Sequence, residues 1–270
     1  MYNSSFIRWA GGKSWLIPQV KALLEGLEFN DYFEPFMGGA SIFFAIDTPK
    51  KSFLSDINPE LVNMFNAVKD NPKLVIKHLK SLSPDEETYY KVRGASPQGK
   101  YQRAARFLYL NANSFNGLYR VNRQGKYNVP YGGRKTTVCA DKLLEASDKL
   151  SSATIMCQDF FKICDKIKPG DLVFLDPPYT VSHKDNCFIA YNQNLFSIDD
   201  QERLAELMNL INDRGAYFIL TNAYHEAISD IFSKCGRSIV VERNSLIGGK
   251  KSYRGKVKEY LFTNIPESEV

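Results

Sequence analysis

The 270-residue sequence lacks the features that define several special classes of protein. No apolar run approaches the roughly 18 residues of a membrane helix, and apolar stretches such as Leu172–Leu175 are short. The N-terminal residues contain no apolar segment of signal-peptide length, so we expect no secretory signal. The five cysteines are an odd number without a Cys-x-x-Cys pair. We therefore expect no disulfide framework, no zinc site and a reducing compartment.

Acidic residues are missing from one long window, residues 88–140. Its 53 residues include ten basic and nine aromatic side chains, whereas the rest of the chain carries 25 basic and 30 acidic residues. The net charge of +5 therefore divides into a basic segment within an acidic frame. Cations interleaved with aromatic rings and amides favour contact with nucleic acid. The alternative is a solvated basic face with some aromatic core residues.

Both flanks of this window alternate between strand and helix patterns. The predicted strands are 32–34, 52–54, 154–156, 172–175, 216–220, 239–242 and 257–263. One predicted helix starts at residue 41, and two more lie within 59–82. The remaining predicted helices are 103–113, 199–213 and 224–233. Strands that alternate with helices indicate the α/β fold class, with a mostly parallel sheet and helices on both faces.

The basic window lies inside a segment that interrupts this alternation. We predict a core formed by residues 1–58 and 146–270, with a mainly helical insertion at 59–145. Within the insertion, residues 115–129 have the pattern of two short strands around a turn at 122–125, which predicts a β-hairpin. Residues 180–196 show no clear periodicity, and we expect a mobile loop there.

The strongest motif is Asp176-Pro177-Pro178-Tyr179, directly after an apolar strand. An acid at the carboxyl end of a strand lies at the edge where open α/β sheets bind ligands. The prolines donate no backbone hydrogen bond, but their carbonyl oxygens remain acceptors. A carboxylate, a carbonyl and an aromatic ring together suit an amino group on a flat ring. The alternative is a turn that only ends the strand.

A second motif, EPFMGGAS at 34–41, follows a strand and opens a helix. Its glycines let a ligand approach the backbone, although the spacing is not that of a pyrophosphate site. Asp56 ends the next strand, where an acid can bind a ribose diol. A tight turn without a ligand is the alternative. A third motif, RWAGGK at 8–13, lacks the earlier glycine of a Walker A loop, which makes an ATPase a poor alternative.

In this order, the motifs resemble those of the DNA adenine-N6 methyltransferases of the Dam family, over nearly the whole chain. The matching blocks are FIRWAGGK, YFEPFMGGAS, LSDIN, FNGLYRVNRQGKYNVPYG, DPPY and RNSLIGGKKSYRGKVKE. Cofactor blocks precede the target-recognition segment and DPPY follows it, as in the alpha arrangement of the D12 class. The resemblance implies a Rossmann-like S-adenosylmethionine-dependent core with an inserted target-recognition domain.

The resemblance further implies S-adenosyl-L-methionine as cofactor, S-adenosyl-L-homocysteine as product, and no metal. The residues on the cofactor blocks are Trp9, Ala10, Gly11, Lys13, Glu34, Phe36, Gly38, Gly39, Asp56, Ile57, Asp159, Phe160 and Asp176. Asp56 would bind the ribose hydroxyls and Ile57 would contact the adenine. Asp159 and Phe160 would read and pack that adenine, while a place in the core is the alternative for Phe160.

By the same resemblance, the catalytic residues are Asp176, Pro177, Pro178 and Tyr179. Adenine N6 is a poor nucleophile because its lone pair is conjugated with the ring. Acceptors on the Asp176 carboxylate and the Pro177 carbonyl would localise that lone pair as N6 attacks the methyl group. Tyr179 would stack on the base, and no covalent enzyme intermediate is needed.

Base flipping is implied because N6 is paired in a duplex. The DNA-binding residues implied are Arg8, Phe115, Asn116, Leu118, Arg120, Asn122, Arg123, Pro130, Tyr131 and Arg134. Phe115 would intercalate, Asn116 would contact the orphaned strand, and Arg120 would read a guanine through O6 and N7. Gly133 shifts Arg134 by one position from the family's register.

Phosphate contacts are expected from further cations of the window. These are Lys91, Arg93, Arg103 and Arg106. GATC is the recognition site that the resemblance implies. The expected partner is double-stranded DNA in the cytoplasm, either at a bacterial nucleoid or in a phage-infected cell, with no membrane and no obligate protein partner.

Two other functions remain open from the sequence. One is an amino methyltransferase that acts on RNA or on a protein amide through a similar turn. The other is a DNA-binding module that has lost catalysis. The basic insertion and the block at Arg8-Trp9 favour DNA, and the intact motif at 176–179 favours an enzyme.

Overall fold

The computed structural model describes residues 5–48, 50–179, 196–244 and 256–267. The loop predicted at 180–196 lies outside the described residues except for Phe196, as does most of the block RNSLIGGKKSYRGKVKE. Within the described ranges, no helix is long and apolar enough to cross a membrane.

In the described part of the chain, seven strands form one sheet. They are β1 (Tyr32–Glu34), β2 (Ser52–Asp56), β3 (Ala153–Cys157), β4 (Leu172–Leu175), β5 (Tyr217–Ala223), β6 (Arg237–Asn244) and β7 (Lys256–Thr263). Their order is β3-β2-β1-β4-β5-β7-β6. The pairs β2–β3, β1–β4 and β4–β5 are parallel, whereas β7 is antiparallel to β5 and β6. This mostly parallel sheet confirms the predicted α/β fold class.

The strands follow from the apolar segments of the sequence. All four residues of β4 are buried, as expected for a parallel strand covered on both faces. The last strand pair is longer than predicted, because its register continues from Arg237 opposite Thr263 to Asn244 opposite Lys256. Polar and charged residues extend this ladder beyond the apolar stretch that the sequence pattern detects.

Helices form most of the connections. They are α1 (Ile17–Leu23), α2 (Ser41–Ala45), α3 (Pro59–Asp70), α4 (Pro72–Lys80), α5 (Glu86–Gly94), α6 (Lys100–Asn113), α7 (Ala140–Leu150), α8 (Ile198–Asp213) and α9 (Glu226–Phe232). The helices α3 and α4 each begin with a proline behind an asparagine cap. The Asn58 side chain accepts hydrogen bonds from two backbone amides of α3, and Asn71 caps α4 in the same way through one amide.

The chain separates into two compact units. Unit 1 contains Met1–Ile17, Met37–Asp47 and Ser52–Gln158, and unit 2 contains Pro18–Phe36, Thr48–Lys51 and Asp159–Val270. Unit 1 therefore holds β2, β3 and the helices α2 to α7. Unit 2 holds β1, β4 to β7, α8, α9 and most of α1.

Residues 114–131 of unit 1, which we call the hairpin segment, differ in part from their prediction. The turn is present and is closed by a hydrogen bond of 2.9 Å from the backbone amide of Asn122 to the carbonyl of Lys126. The prediction of two regular strands is wrong. Pairing is reduced to isolated antiparallel bridges, Ser114 with Tyr131 and Val121 with Tyr127. Phe115–Gly117 forms a 3₁₀ turn with Asn116 at φ 56°, and a regular ladder cannot pass through such a turn.

Tyrosine side chains attach the hairpin segment to the helices instead. The Tyr89 hydroxyl on α5 donates to the carbonyl of Val129 at 2.9 Å, and the Tyr131 hydroxyl donates to the carbonyl of Pro84 at 3.1 Å. The buried cluster around them contains Tyr89, Val92, Tyr109, Leu110, Tyr127 and Val129. These core contacts account for several of the aromatic residues in the basic window.

The N-terminus of α8 supplies a test of local stability. The Ser197 hydroxyl accepts from the amide of Asp200 at 3.1 Å, and the Asp200 carboxylate accepts from the amide of Ser197 at 2.9 Å, which forms a capping box. We expect Ser197→Ala to lower the free energy of unfolding by about 1 kcal/mol, measured by urea denaturation. Ser197→Thr keeps the hydroxyl and serves as control. An unchanged urea midpoint for the alanine variant would contradict the role of the cap.

Candidate functional site

The strand order reverses between β1 and β4, which pair in parallel with Tyr32 opposite Leu172 and Phe33 opposite Val173. In open α/β sheets, ligands bind in the crevice outside the carboxyl ends of the strands at such a reversal. Residues 34–36 directly follow the paired part of β1, and the 176–179 motif directly follows β4. Within unit 2, the fold therefore brings residues 34–36, the start of the second motif, and the 176–179 motif to one edge of the sheet.

Asp176 is held at this edge by the neighbouring strand. Its side chain is half-buried, and its Oδ1 accepts a hydrogen bond of 2.7 Å from the Thr221 hydroxyl of β5. Pro177 is buried and Pro178 is exposed. The Asp176 carboxylate is therefore held in one position, as is required of an acceptor that stabilises charge developing in a transition state.

Tyr179 is anchored through its hydroxyl. The hydroxyl donates to Oε2 of Glu259 on β7 at 2.5 Å, and Oε1 of the same carboxylate accepts from Arg243 Nε of β6 at 2.5 Å. Burial, together with the charges of Asp176 and Glu259, raises the pKa of Tyr179 well above its usual value. This shift favours the protonated phenol, which is the form that donates to Glu259.

Three aromatic rings of unit 2 form a cluster. Phe36 stacks on Phe160 with a centroid distance of 5.1 Å, and Phe196 meets the Phe36 ring edge-on at 5.7 Å. Phe160 is 5% exposed, and the Arg203 guanidinium lies 4.9 Å from the centre of its ring. Phe160 thus packs within an aromatic cluster of unit 2, and its contact with the cofactor's adenine stays a prediction.

Arg203 is a residue that the sequence reading missed. From α8 it donates to Asp159 Oδ1 at 2.9 Å and to Asp200 Oδ1 at 3.0 Å. Asp159 also accepts from the amide of Phe161 at 3.0 Å, so its carboxylate has a set orientation. The spacing between Asp200 and Arg203 on one helix was a visible signal, but the contact with Asp159 joins residues 44 positions apart.

In unit 1, Asp56 is bonded to the glycine turn. Its Oδ2 accepts from the amide of Gly38 at 3.1 Å and its Oδ1 from the amide of Asn58 at 2.9 Å. Burial raises the pKa of this carboxyl, although the same amide hydrogen bonds act against the shift. A carboxylate oriented by backbone amides at the end of β2 suits the binding of hydroxyl groups.

The same turn packs tightly against Trp9. Gly38 has a φ of 44°, and a Cβ atom there would lie 2.7 Å from Cδ1 of Trp9. A Cβ on Gly39 would lie 3.2 Å from the Cβ of Trp9. The Trp9 ring in turn stacks on Tyr119 at a centroid distance of 5.6 Å. The N-terminal block and the glycine turn, which are separate motifs in the sequence, form one contact surface within unit 1.

Other residues of the predicted cofactor blocks differ in exposure. Lys13 is 5% exposed, and its ammonium donates to the carbonyl of Gly11 at 3.0 Å. Ala10 and Gly11 are exposed. Ile57, a large apolar side chain directly after Asp56, is 76% exposed, and its contact with the adenine stays a prediction.

Arg8 and the 3₁₀ turn of the hairpin segment are joined by Asn111 of α6. Asn111 Oδ1 accepts from the amide of Arg8 at 3.0 Å, while its Nδ2 donates to the carbonyls of Arg8 at 2.7 Å and Gly117 at 3.2 Å. A Cβ on Gly117 would lie 2.6 Å from Cδ of Arg8, so the two segments are in close contact. Arg8 and the 3₁₀ turn, both predicted to contact DNA, therefore lie side by side. Asn111, which the sequence did not single out, holds them together by hydrogen bonds.

The remaining predicted DNA contacts lie along the hairpin segment or just after it. Phe115 and Leu118 are 52% and 39% exposed, an uncommon position for large apolar side chains. Arg120 is exposed, and its Nε donates to Asn128 Oδ1 at 2.8 Å. The Asn122 side chain accepts from two amides of its own turn and so shapes the tip. Asn116, Arg123, Pro130 and Arg134 are exposed, and Tyr131 is half-buried.

Some cations of the basic window are engaged inside the protein. Arg103 pairs with Glu60 at 2.5 Å. Arg106 donates to the carbonyls of Val92 and Arg93 at the end of α5, and burial lowers the pKa of its guanidinium. Both arginines therefore have partners within the protein, and their contacts with phosphates stay a prediction.

Metal binding finds no support in the part of the chain that the structure describes. No group of three or more His, Cys, Asp or Glu side chains there is arranged to hold a metal ion. The described cysteines, Cys139, Cys157, Cys164 and Cys235, are free thiols.

Comparison with known families decides the class of the protein. Residues 9–246 match the sequence profile of the D12 class N6 adenine-specific DNA methyltransferases. The chain belongs to this family. The match confirms the resemblance seen in the sequence and covers both the glycine turn of unit 1 and the 176–179 motif of unit 2.

Curated relatives of this methyltransferase agree with the assignment. Type II methyltransferase M1.LlaDCHI of Lactococcus lactis is 34% identical, over 96% of this chain and 94% of the relative. Type II methyltransferase M.MjaIII of Methanocaldococcus jannaschii is 36% identical, over 85% of this chain and 86% of the relative. The DNA adenine methylase of Serratia marcescens is 31% identical, over 96% and 97%.

The contact between Gly38 and Trp9 leads to a prediction. Gly38→Ala places a Cβ inside the van der Waals radius of the indole at a left-handed backbone position. We expect a loss of about 1–3 kcal/mol in the free energy of unfolding and a changed tryptophan fluorescence, because Trp9 must move. Gly94→Ala is the control, since a Cβ there meets no atom within 4 Å. Equal urea midpoints for the two variants would show that the turn is not tightly packed.

Proposed function

We propose that this methyltransferase transfers a methyl group from S-adenosyl-L-methionine to N6 of adenine in double-stranded DNA, at GATC, after flipping the base. The supporting observation is the position of Asp176 and Tyr179. In a chain of the N6 adenine-specific family, both lie at the strand-order reversal, held by Thr221 and Glu259. The proposed division is a core of residues 1–58 and 146–270 and a recognition insertion of 59–145.

The cofactor supplies the activated methyl group. The close-packed glycine turn and the oriented Asp56 carboxylate fit a ligand that carries ribose hydroxyls. In unit 1 we assign its binding to Trp9, Ala10, Gly11, Lys13, Gly38, Gly39, Asp56 and Ile57. In unit 2 we assign Glu34, Phe36, Asp159, Phe160 and Asp176.

Asp176 and Pro177 provide the acceptors for the target amine. Hydrogen bonds from the two N6 protons to the carboxylate and the Pro177 carbonyl would localise the nitrogen lone pair on the attacking side. The same acceptors stabilise the positive charge that develops on N6 during transfer. Tyr179 supplies a stacking surface, and Pro178 keeps the turn stiff.

The hairpin segment supplies the groups for flipping. Unstacking an adenine costs a few kcal/mol, which an inserted aromatic side chain can offset by filling the gap. Phe115 is an exposed ring on a 3₁₀ turn, next to Asn116 with its polar side chain. We assign intercalation to Phe115 and contact with the orphaned strand to Asn116.

Sequence choice is assigned to Arg120. The bond from its Nε to Asn128 sets the plane of the guanidinium, whose Nη groups are donors suited to O6 and N7 of guanine. The other assigned DNA contacts are Arg8, Leu118, Asn122, Arg123, Pro130, Tyr131 and Arg134. The description of the family, N6 adenine-specific DNA methyltransferase, and the name of a relative, DNA adenine methylase, support DNA as the substrate class.

The direct test uses S-adenosylmethionine with a labelled methyl group. The substrates are a duplex with one GATC site, the same duplex without it, and an RNA of the same sequence. We expect transfer to the first substrate alone, with the label on N6-methyladenine. Transfer to RNA would support the alternative amino methyltransferase, and transfer to the second duplex would refute GATC.

Asp176→Ala tests the placed acceptor. We expect methyl transfer to fall by more than about 100-fold while duplex binding survives, because the carboxylate acts on N6 and the DNA contacts lie elsewhere. Asp213→Ala, an exposed acid at the end of α8, is the control. Single-turnover rates and gel-shift binding report the two effects. Normal transfer by Asp176→Ala would refute the mechanism.

Arg120→Ala tests sequence choice. Loss of a bidentate contact to guanine is worth roughly 1–3 kcal/mol, so we expect discrimination against a substituted guanine to fall by roughly 5- to 150-fold. The measurement compares kcat/KM on duplexes that differ at this base pair. Arg237→Ala, an arginine of β6 paired with Glu267, should leave the ratio unchanged. A ratio unchanged in Arg120→Ala would remove its assigned role.

A further inference from the structure

Glu259 is a buried acid with an unusual set of partners. It lies on β7, opposite Ala223 of β5 and Val241 of β6, and is 1% exposed. One carboxylate oxygen accepts from the Tyr179 hydroxyl and the other from Arg243 Nε, both at 2.5 Å. Each carboxylate oxygen therefore has a strong donor.

A buried carboxylate is costly unless its charge is balanced and its oxygens are hydrogen-bonded. Arg243, on the neighbouring strand β6, supplies the balancing charge. Packing alone would be served as well by an apolar residue at this sheet position, as in other buried ion pairs. The feature that distinguishes Glu259 is that its second oxygen holds the tyrosine of the 176–179 motif.

The anchor acts on the orientation of the Tyr179 ring. A tyrosine side chain has two rotatable bonds, and a fixed hydroxyl position restricts the first of them and so the place of the ring. Because resonance keeps a phenol O–H close to the plane of its ring, the direction of the Glu259 acceptor also favours one ring plane. Asp176, three residues earlier, is fixed in the same way by Thr221. Strands β5 and β7, which are paired with each other, thus hold the two polar groups of the motif.

We propose that Glu259 is a positioning residue that fixes the ring plane of Tyr179 for stacking on the target adenine, with Arg243 as its charge partner. This inference rests on the proposed function, since it needs a flipped adenine at Tyr179. Glu259 itself touches neither the base nor the cofactor in this role. Its effect passes through the tyrosine hydroxyl.

A double-mutant cycle tests the proposal. Glu259→Ala and Tyr179→Phe each break the same hydrogen bond, and Phe keeps the ring. We expect each to lower the single-turnover rate of methyl transfer by roughly 10- to 100-fold, since small misplacements of a reacting group have effects of this size. The double variant should be no slower than the slower single variant. Multiplied losses in the double variant would overturn the proposal.

Base stacking provides a second readout. A duplex with 2-aminopurine in place of the target adenine reports the environment of the flipped base through its fluorescence. We expect the stacked, quenched state in the wild type to be less populated in Glu259→Ala and Tyr179→Phe alike, with an unchanged KM for S-adenosylmethionine. A fluorescence signal equal to that of the wild type in both variants would overturn the proposal. If Glu259 served only to stabilise the sheet, the 2-aminopurine signal would not change.

Two further variants keep the test decisive. Glu242→Gln changes the acid of an exposed ion pair with Lys256 on the same two strands, and it should transfer at the wild-type rate. If Glu259→Ala does not fold, Glu259→Gln takes its place in the cycle, and it should slow transfer in the wild type but not in Tyr179→Phe. A further loss in that background would overturn the inference. An inactive wild type would instead refute the proposed function, so the two failures are distinguishable.

Discussion

The parallel pairing of β1 with β4 brings residues 34–36, which include Glu34 and Phe36, to the same edge of the sheet as Asp176. The register matters as much as the pairing, because side chains alternate between the faces of a strand. A shift of one residue would turn every side chain of a strand to the other face. The register of Tyr32 opposite Leu172 is therefore a condition for the proposed chemistry as well as for the fold.

Three groups with proposed chemical roles, Asp159, Asp176 and Tyr179, lie in loops, whereas the side chains that orient them lie in strands and helices. Thr221 and Glu259 are strand residues that hold Asp176 and Tyr179. Arg203, on a helix, holds Asp159 in the same way. Each support is a side-chain hydrogen bond to a residue more than 40 positions away. The loops can thus carry reactive groups without relying on their own backbone for rigidity.

The sequence predicted some elements to the residue, namely β1 and β4, because both are short apolar runs with clear polar limits. It missed the short helix α1, α5, whose apolar residues are sparse, and α7, although Leu143, Ala146 and Leu150 have helical spacing. It also predicted regular strands where a 3₁₀ turn interrupts the hairpin segment. The site motifs were readable because each is continuous in the chain. Glu259 and Arg203 were not, since a sequence shows neighbours along the chain and not contacts between distant segments.

The bonds of Asn111 have a consequence for exchanging specificity between enzymes of this family. Arg8 and the 3₁₀ turn at Phe115–Gly117 meet through this one amide side chain, although Arg8 and Asn111 are 103 positions apart. The proposed recognition surface is therefore not confined to one continuous segment of the chain. A hairpin segment transplanted into another scaffold would leave Arg8 behind and lose the close fit between its side chain and Gly117. A working graft has to carry the N-terminal block and α6 together with the hairpin segment.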